Sequence, residues 1–177
     1  MSEIPREAAQ RILKKRAEAL AKPLPERPAP AESLDLLIFS NAGERYAVET
    51  THVHEVVPLR DLTPLPCAPL FVRGVVNHRG RILPVVDFRR LFDLPDEEAP
   101  EGARIVTVEA GGMRFAIFAD RLAGIIRVDV RDLAPPPVTV TDDQKAWLRG
   151  VTAEMVAVLD LEAMVRASRI VVNEEVA

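Results

Sequence analysis

From Leu34 onward, apolar residues occur in short runs of about five or six, with polar and glycine-containing turns between them. Runs of this length, bounded by turn signals, are typical of β-strands. None of them is followed by a long segment of helical period, so the pattern favours small barrels over alternating strands and helices. We therefore predict a mainly β protein with short helices.

Residues 1–32 differ in character from the rest of the chain. The stretch from Ile4 to Ala21 predicts a helix with an uneven apolar stripe among basic side chains. Such a helix can lie on a membrane surface or in a partner's groove, or fold back on its own domain. Four prolines then end any helix and predict an extended linker: Pro23, Pro25, Pro28 and Pro30. The main domain is expected at 33–172, with a tail at 173–177.

The remainder contains one unit twice, in tandem. The 24 residues from Leu34 align without a gap on those from Ala103, at an offset of 69. The segment RGVVNHRGRILPVVDFRRLF, which begins at Arg73, has a shorter counterpart, RGVTAEMVAVLDLEAMV, from Arg149. We expect the copies to pack against each other around a shared interior, with a concave surface at their seam. They span about 34–92 and 103–165.

The sequence VVNHRGRIL predicts a β-hairpin, because Gly80 can adopt the positive φ that a tight turn needs. Pro84 lies in the returning strand and cannot donate a ladder hydrogen bond, so we expect an edge or a bulge there. Asp87 and Asp160 each precede a short predicted helix and are expected to cap it. Asp143, after a run of three prolines, is expected to cap another helix.

Composition excludes several classes of function. The net charge of -4 and an aromatic content of 5% argue against binding nucleic acid. Cys67 is the single cysteine, which excludes an intrachain disulfide framework and favours a reducing, cytoplasmic compartment. No segment approaches the roughly 18 consecutive apolar residues that would span a bilayer.

Candidate chemistry is sparse. The chain contains no G-x-S-x-G elbow, P-loop or G-x-G-x-x-G motif, so we predict neither an enzyme nor a cofactor. His52 and His54 would share one face of a strand, where Cys67 or His78 could approach. A metal site needs three or four ligands with supporting contacts, so this spacing is weak evidence and we predict no metal.

The stretch FVRGVVNHRGRILPVVDFRRLFDL resembles the signature of the CheW-like domain of bacterial chemotaxis coupling proteins. That signature is close to G-V-x-N-x-R-G-x-I-x-P-V-x-D followed by an apolar residue. The matching residues are Gly74, Val75, Asn77, Arg79, Gly80, Ile82, Pro84, Val85 and Asp87. The resemblance extends from about Leu34 to Val172. It implies two SH3-like five-stranded β-barrels around a shared core, to which this chain adds an N-terminal helical extension.

The resemblance also implies a non-catalytic adaptor. Such proteins link the cytoplasmic tips of methyl-accepting chemoreceptors to the regulatory domain of a CheA-type histidine kinase, within a receptor array. Carried over by position, the receptor-facing residues are Val53, Glu55, Asn77 and Arg79, while the kinase contacts stay unassigned. His78 departs from the family pattern, in which an apolar residue is common there, and a titratable ring could make partner binding pH-sensitive.

Two other functions stay open on the sequence. A CheW-like protein can serve a pathway other than chemotaxis, such as pilus motility or gene regulation. A pair of barrels can also bind a small ligand in the groove between them and act as a sensor. That second function would need convergent polar side chains in the seam to orient the ligand.

Overall fold

The structure, a computed structural model, describes residues 32–95, 98–138 and 140–167. The predicted N-terminal helix, its proline linker and the tail at 173–177 lie outside these residues. No helix in the described part is long and apolar enough to cross a membrane.

The described part is mainly β, as predicted. Its strands are β1 Ser33–Asn41, β2 Glu44–Glu49, β3 Val53–Pro58, β4 Val72–His78, β5 Arg81–Val86, β6 Arg104–Ala110, β7 Met113–Ala119, β8 Arg121–Asp129, β9 Leu148–Val151 and β10 Ala157–Leu159. The short helices are α1 Phe88–Leu91, α2 Asp142–Lys145 and α3 Leu161–Arg166. Two 3-10 turns, Thr50–His52 and Val130–Asp132, adjoin β3 and β8.

The strands form two five-stranded sheets that each draw on both sequence copies. The order β8-β1-β2-β10-β9 forms what we call barrel A, and β3-β6-β7-β5-β4 forms barrel B. Barrel A combines β1 and β2 of the first copy with the last three strands of the second, and barrel B does the reverse. Parallel pairing of β2 with β10 and of β5 with β7 joins the copies. A barrel is therefore not the same unit as a sequence copy.

Each sheet is closed by one equivalent backbone bridge. In barrel B, Thr63 and Val75 exchange hydrogen bonds of 2.9 and 2.8 Å, which connect the segment after β3 to β4. In barrel A, Ala134 and Val151 exchange bonds of 2.9 and 2.8 Å, which connect the segment after β8 to β9. These bridges join the two ends of each sheet, which satisfies backbone groups that an open edge would leave unpaired.

The glycine of the repeated Arg-Gly-Val sequence permits this closure. A Cβ atom at Gly74 would lie 2.4 Å from the carbonyl oxygen of Thr63. A Cβ atom at Gly150 would lie 2.8 Å from the carbonyl oxygen of Ala134. Only glycine allows the backbone to approach so closely. The repeated Arg-Gly-Val sequence therefore marks the point where each barrel closes.

The central core lies between the barrels and takes residues from both. Strand β1 buries both faces, so Leu36 and Ile38 pack inside barrel A while Leu37 and Phe39 pack in the central core. Strands β2, β6 and β7 do the same, which explains their nearly continuous apolar sequences. Aromatic rings in contact fill the central core: Phe39, Tyr46, Phe88, Phe92 and Trp147.

Two of the predicted helix caps are confirmed. Asp87 accepts a hydrogen bond of 3.0 Å from the backbone N–H of Arg89, at the start of α1. Asp160 accepts one of 2.8 Å from the backbone N–H of Ala163, at the start of α3. Both helices then pack apolar side chains into the central core.

The prediction that Asp143 caps α2 is wrong. Thr141 holds that position, and its hydroxyl accepts a hydrogen bond from the backbone N–H of Gln144. The Gln144 side chain in turn accepts the backbone N–H of Thr141, which makes a reciprocal capping box. Asp143 lies in the first turn of the helix, where a negative charge is also favourable.

The prediction that Pro84 marks an edge is also wrong, because β5 lies inside its sheet between β4 and β7. Pairing with β7 begins at Val85, one residue later. On the other side, Val75 lies opposite Pro84 but directs its own backbone groups to Thr63. Pro84 therefore occupies a position that needs no donor. The bulge lies on the neighbouring strand, between Val72 and Gly74.

Candidate functional site

The β4–β5 hairpin ends in a two-residue turn formed by Arg79 and Gly80. Their φ angles of 53° and 78° are typical of the type I′ turn that suits a twisted hairpin. Gly80 adopts this conformation freely, whereas a non-glycine residue loses about 1–2 kcal/mol there. The side-chain oxygen of Asn77 accepts a 3.0 Å hydrogen bond from the Gly80 N–H and so stabilises the turn. The Arg79 side chain, 74% exposed, extends from its tip.

Glu55 connects this hairpin to β3, the strand at the other end of the same sheet. One oxygen of its carboxylate lies 2.9 Å from an Nη of Arg79, and the other lies 3.1 Å from Nε2 of His78. Glu55 and Arg79, the acidic and basic residues picked out in the sequence, therefore form an ion pair. The Glu55 carboxylate is thus held between two side chains of the hairpin, His78 and Arg79.

Glu109, at the end of β6, has a matching set of neighbours. Its Oε2 lies 3.1 Å from Nε2 of His54 and accepts a hydrogen bond from Nε of Arg114. The Arg114 guanidinium, with a smaller contribution from His54, holds the pKa of the Glu109 carboxyl below its usual range. Sequence reasoning missed Glu109 and Arg114, since neither belongs to a short motif and the contacts of Glu109 with His54 and Arg114 depend on strand pairing.

The histidines approach carboxylates rather than one another. His54 contacts Glu109, His78 contacts Glu55, and Nδ1 of His52 lies 3.0 Å from the backbone carbonyl oxygen of Glu109. His52 belongs to a 3-10 turn and His54 to a bulge in β3, so they do not alternate on a regular strand. Within the residues that the structure describes, no group of three or more potential ligands could hold a metal ion.

Several of these charged and histidine side chains line a cavity of about 330 Å³ at one end of barrel B. We call it the barrel B mouth. Strands β3 and β5 begin at this end and β4 ends there. Its floor is apolar or uncharged and largely buried, and its rim is charged. The floor consists of Leu83, Thr107 and Val108, and the rim of His54, Glu55, His78, Arg79, Arg81 and Arg114.

Val53, the fourth predicted receptor-facing residue, does not line the mouth. It pairs with Val108 at the start of β3, and its half-buried side chain packs against the central core. The structure therefore brings Glu55 and Arg79 into contact, places Asn77 in the turn beneath them, and gives Val53 a packing contact inside the fold.

A second polar cluster is buried between the barrels. Asp87 accepts hydrogen bonds of 2.7 Å from Arg73 and 2.9 Å from Asn41. Arg89, which is 1% exposed, donates bonds of 2.7 Å to Asn41 and to Asp120. Two arginines and two aspartates balance in charge, and buried side-chain polar atoms of the described residues all have partners. The cluster therefore ties β1 to α1 and leaves no buried group available for chemistry.

Barrel A carries a different concavity, a groove of about 300 Å³ with a mostly apolar lining. Met155, which is 72% exposed, and Leu148 line it, together with the ring of Tyr46. Burial raises the pKa of Tyr46, so its phenol stays neutral at physiological pH. This groove is more apolar than the barrel B mouth, although Glu44 and Arg45 also line it.

The chain is similar to known proteins along most of its length. Residues 35–169 match the family described as CheW-like domain. Chemotaxis protein CheW of Treponema pallidum is 28% identical over 127 residues, which are 70% of this chain and 75% of that protein. Chemotaxis protein CheW of Rhizobium meliloti is 28% identical over 133 residues, 73% of this chain and 86% of that protein.

Two further similarities concern a differently named protein and a solved structure. Protein FrzA of Myxococcus xanthus is 33% identical over 104 residues, 59% of this chain and 65% of that protein. The crystal structure of the scaffolding protein TtCheW from Thermoanaerobacter tengcongensis matches with a TM-score of 0.63 and 29% identity. That match covers 72% of this chain and 88% of TtCheW.

Proposed function

The chain belongs to the CheW-like family, and we propose that it is a non-catalytic adaptor coupling chemoreceptors to a CheA-type histidine kinase. The observation that carries this proposal is the family match over residues 35–169, which spans both barrels. Relatives of similar length are named as chemotaxis protein CheW, and the matching crystal structure is described as a scaffolding protein. Its place of action would be the cytoplasmic end of a receptor array.

The receptor-facing surface that we propose comprises Glu55 and Arg79, with Asn77 supporting the turn. Arg79 has a positive φ, at a turn position where glycine or asparagine would be less strained. Its side chain is exposed and adds nothing to the core, so packing does not explain why arginine occupies this position. Such a combination is expected where a side chain serves binding. Glu55 limits the freedom of Arg79 before the partner arrives, which lowers the entropy lost on association. Val53 contributes by holding β3 against the central core.

An adaptor of this kind acts through contact alone. It binds receptor and kinase at the same time, so it raises the local concentration of each for the other. It can shift the kinase between active and inactive states only by binding one of them more tightly. The function therefore resides in two separate surfaces, and a variant that weakens one should leave the other intact.

The first test is calorimetric titration of the full chain with the isolated regulatory domain of a CheA-type kinase from the same organism. We expect saturable binding with a stoichiometry of one to one. If both proteins are folded and no heat of binding is observed, the coupling role is wrong for that kinase. A different kinase system, such as one that serves motility on surfaces, would then be the next partner to titrate.

The second test separates the receptor surface from the fold. In Arg79→Glu the reversed charge faces Glu55, and we expect receptor binding to weaken by about tenfold or more, while circular dichroism stays unchanged. Arg79→Gly is the matched variant, because it removes the side chain and relaxes the turn. It should also bind receptor weakly and should bind the kinase regulatory domain normally. Unchanged receptor binding in both variants would remove Arg79 from the surface.

A further inference from the structure

The barrel B mouth has a positive rim within a negatively charged domain. Residues 33–177 contain sixteen Lys and Arg against twenty-two Asp and Glu, a net charge of -6. At the mouth, three arginines meet only two glutamates, including Glu109, which contacts His54 and Arg114 from just outside the cavity lining. With neutral histidines this leaves one excess positive charge, and protonated histidines would add to it.

Both glutamates already have basic partners, so the excess positive charge at the mouth can be assigned to one residue. Glu55 is held between His78 and Arg79, and Glu109 has His54 and Arg114 as its partners. Arg81, at the start of β5, also lines the cavity and makes no ion pair with any residue that the structure describes. Its guanidinium is therefore the cation available to an incoming group.

The fold does not require the charged rim of the barrel B mouth. The bulge residue His54 and the adjacent Glu55 correspond to Ala123 and Gly124 in β8, at the offset of 69. The hairpin that carries Arg81 has no full counterpart, because the segment from Arg149 to Asp160 is three residues shorter than the one from Arg73 to Asp87. Barrel A keeps Arg45 at the position of Arg114 but forms without the charges of His54 and Glu55. A charged rim in barrel B is a property of these residues rather than of the barrel.

We propose that the barrel B mouth binds a carboxylate side chain, Asp or Glu, of the receptor segment that the protein couples. This inference rests on the proposed function and names the chemistry that the receptor must present. A guanidinium matches a planar carboxylate through two parallel N–H donors. The buried floor formed by Leu83, Thr107 and Val108 excludes water beneath the contact, which strengthens the ion pair. A lysine or arginine presented at the same place would be repelled.

At the rim, arginines already alternate with glutamates, and the receptor's carboxylate would pair with the remaining arginine. Glu55 and Glu109 hold Arg79 and Arg114 in place, so the donors at the rim are positioned before binding. The cavity, at about 330 Å³, is near the lower limit of roughly 300 Å³ for ligand pockets, which suits one side chain rather than a large molecule. The mouth thus provides a polar contact that selects an acidic side chain of the receptor segment.

The test uses the full chain and a receptor-tip fragment from the same organism, with affinity measured by calorimetry at low and at physiological salt. Arg81→Glu should weaken binding by tenfold or more at low salt and reduce the salt dependence. Arg104→Glu is the matched control, because Arg104 is also exposed, begins β6 at the opposite end of the same barrel and makes no ion pair with a described residue. It should change the affinity less than twofold.

A charge exchange then identifies the receptor's side chain. Each acidic residue of the fragment is replaced by arginine in turn, and one replacement should weaken binding to the unaltered chain and restore binding to Arg81→Glu. The inference is overturned if Arg81→Glu binds as the unaltered chain does, if Arg104→Glu loses as much, or if no replacement restores binding. If the unaltered chain fails to bind the fragment at all, the proposed function fails, and the inference falls with it.

Discussion

The two sequence copies build the same framework and then diverge at the surface. Both close a barrel with a bridge beside an Arg-Gly-Val glycine, and both cap a short helix with aspartate. Yet Asp87 lies at the centre of a buried polar cluster, whereas the Asp160 side chain makes only the cap hydrogen bond to α3 among the described residues. The barrel B mouth has a charged rim, and the groove of barrel A has a mostly apolar lining. The framework is therefore set by backbone geometry, and the differences arise in side chains that the framework tolerates.

The largest expected contrast concerns the two aspartates. Asp87→Ala removes a buried acceptor from Arg73 and Asn41 and leaves positive charge uncompensated, so we expect a loss of about 3–5 kcal/mol in the free energy of unfolding. Asp160→Ala removes one cap hydrogen bond and should cost about 1 kcal/mol. Urea denaturation of both variants measures the difference. Equal losses would show that the buried cluster adds no more than the cap.

A second contrast tests the closing bridges. Gly74→Ala forces a Cβ atom to within 2.4 Å of a backbone oxygen, and we expect a loss of about 2–3 kcal/mol as the bridge opens. Gly43→Ala is the control, because its φ of +78° is also unfavourable for alanine but its Cβ would meet nothing within 4 Å. That variant should lose only about 1 kcal/mol.

Hydrogen exchange would locate the strain that the added Cβ atom introduces. In Gly74→Ala, the amide protons of Thr63 and Val75 should exchange faster than those in the centre of barrel B, since they form the closing bridge. Gly150→Ala should have the same local effect at Ala134 and Val151. If the bridge amides keep their protection in both variants, the glycines have another purpose.

The smallest effect concerns an ion pair at the end of β8, between Asp129 and Arg131. Arg131, through its side chain and its backbone N–H, lowers the pKa of Asp129 to about 2. A lowered pKa in the folded state means that this pair adds stability above pH ~4 and loses it as pH falls towards about 2. In Arg131→Ala, an NMR titration of the Asp129 carboxyl carbon should show its pKa closer to the usual value. The pKa of Asp35, which is lowered by its own partner Arg127, should not change. A midpoint that does not move would show that the pair is broken in solution.

Much of the fold followed from local pattern. The turn at Arg79 and Gly80, the strands on either side and the caps at Asp87 and Asp160 depend on neighbours within a few residues, and these predictions are confirmed. Pro84 was misplaced because a missing N–H indicates only that no donor is needed, and an interior strand can offer such a position. Asp143 lost its expected role because Thr141, two residues earlier, makes the stronger capping arrangement.

The sequence by itself determined the two copies, the strand-rich pattern and the hairpin turn at Arg79 and Gly80, because each is encoded in residue type and short spacing. Only the tertiary structure decided that the copies exchange strands, since alternating apolar residues specify a buried face but not which strand lies beside it. It likewise decided that Glu109 and Arg114 join His54 at the barrel B mouth. Those charges are brought together by pairing β3 with β6 and β6 with β7, across separations that no short motif records.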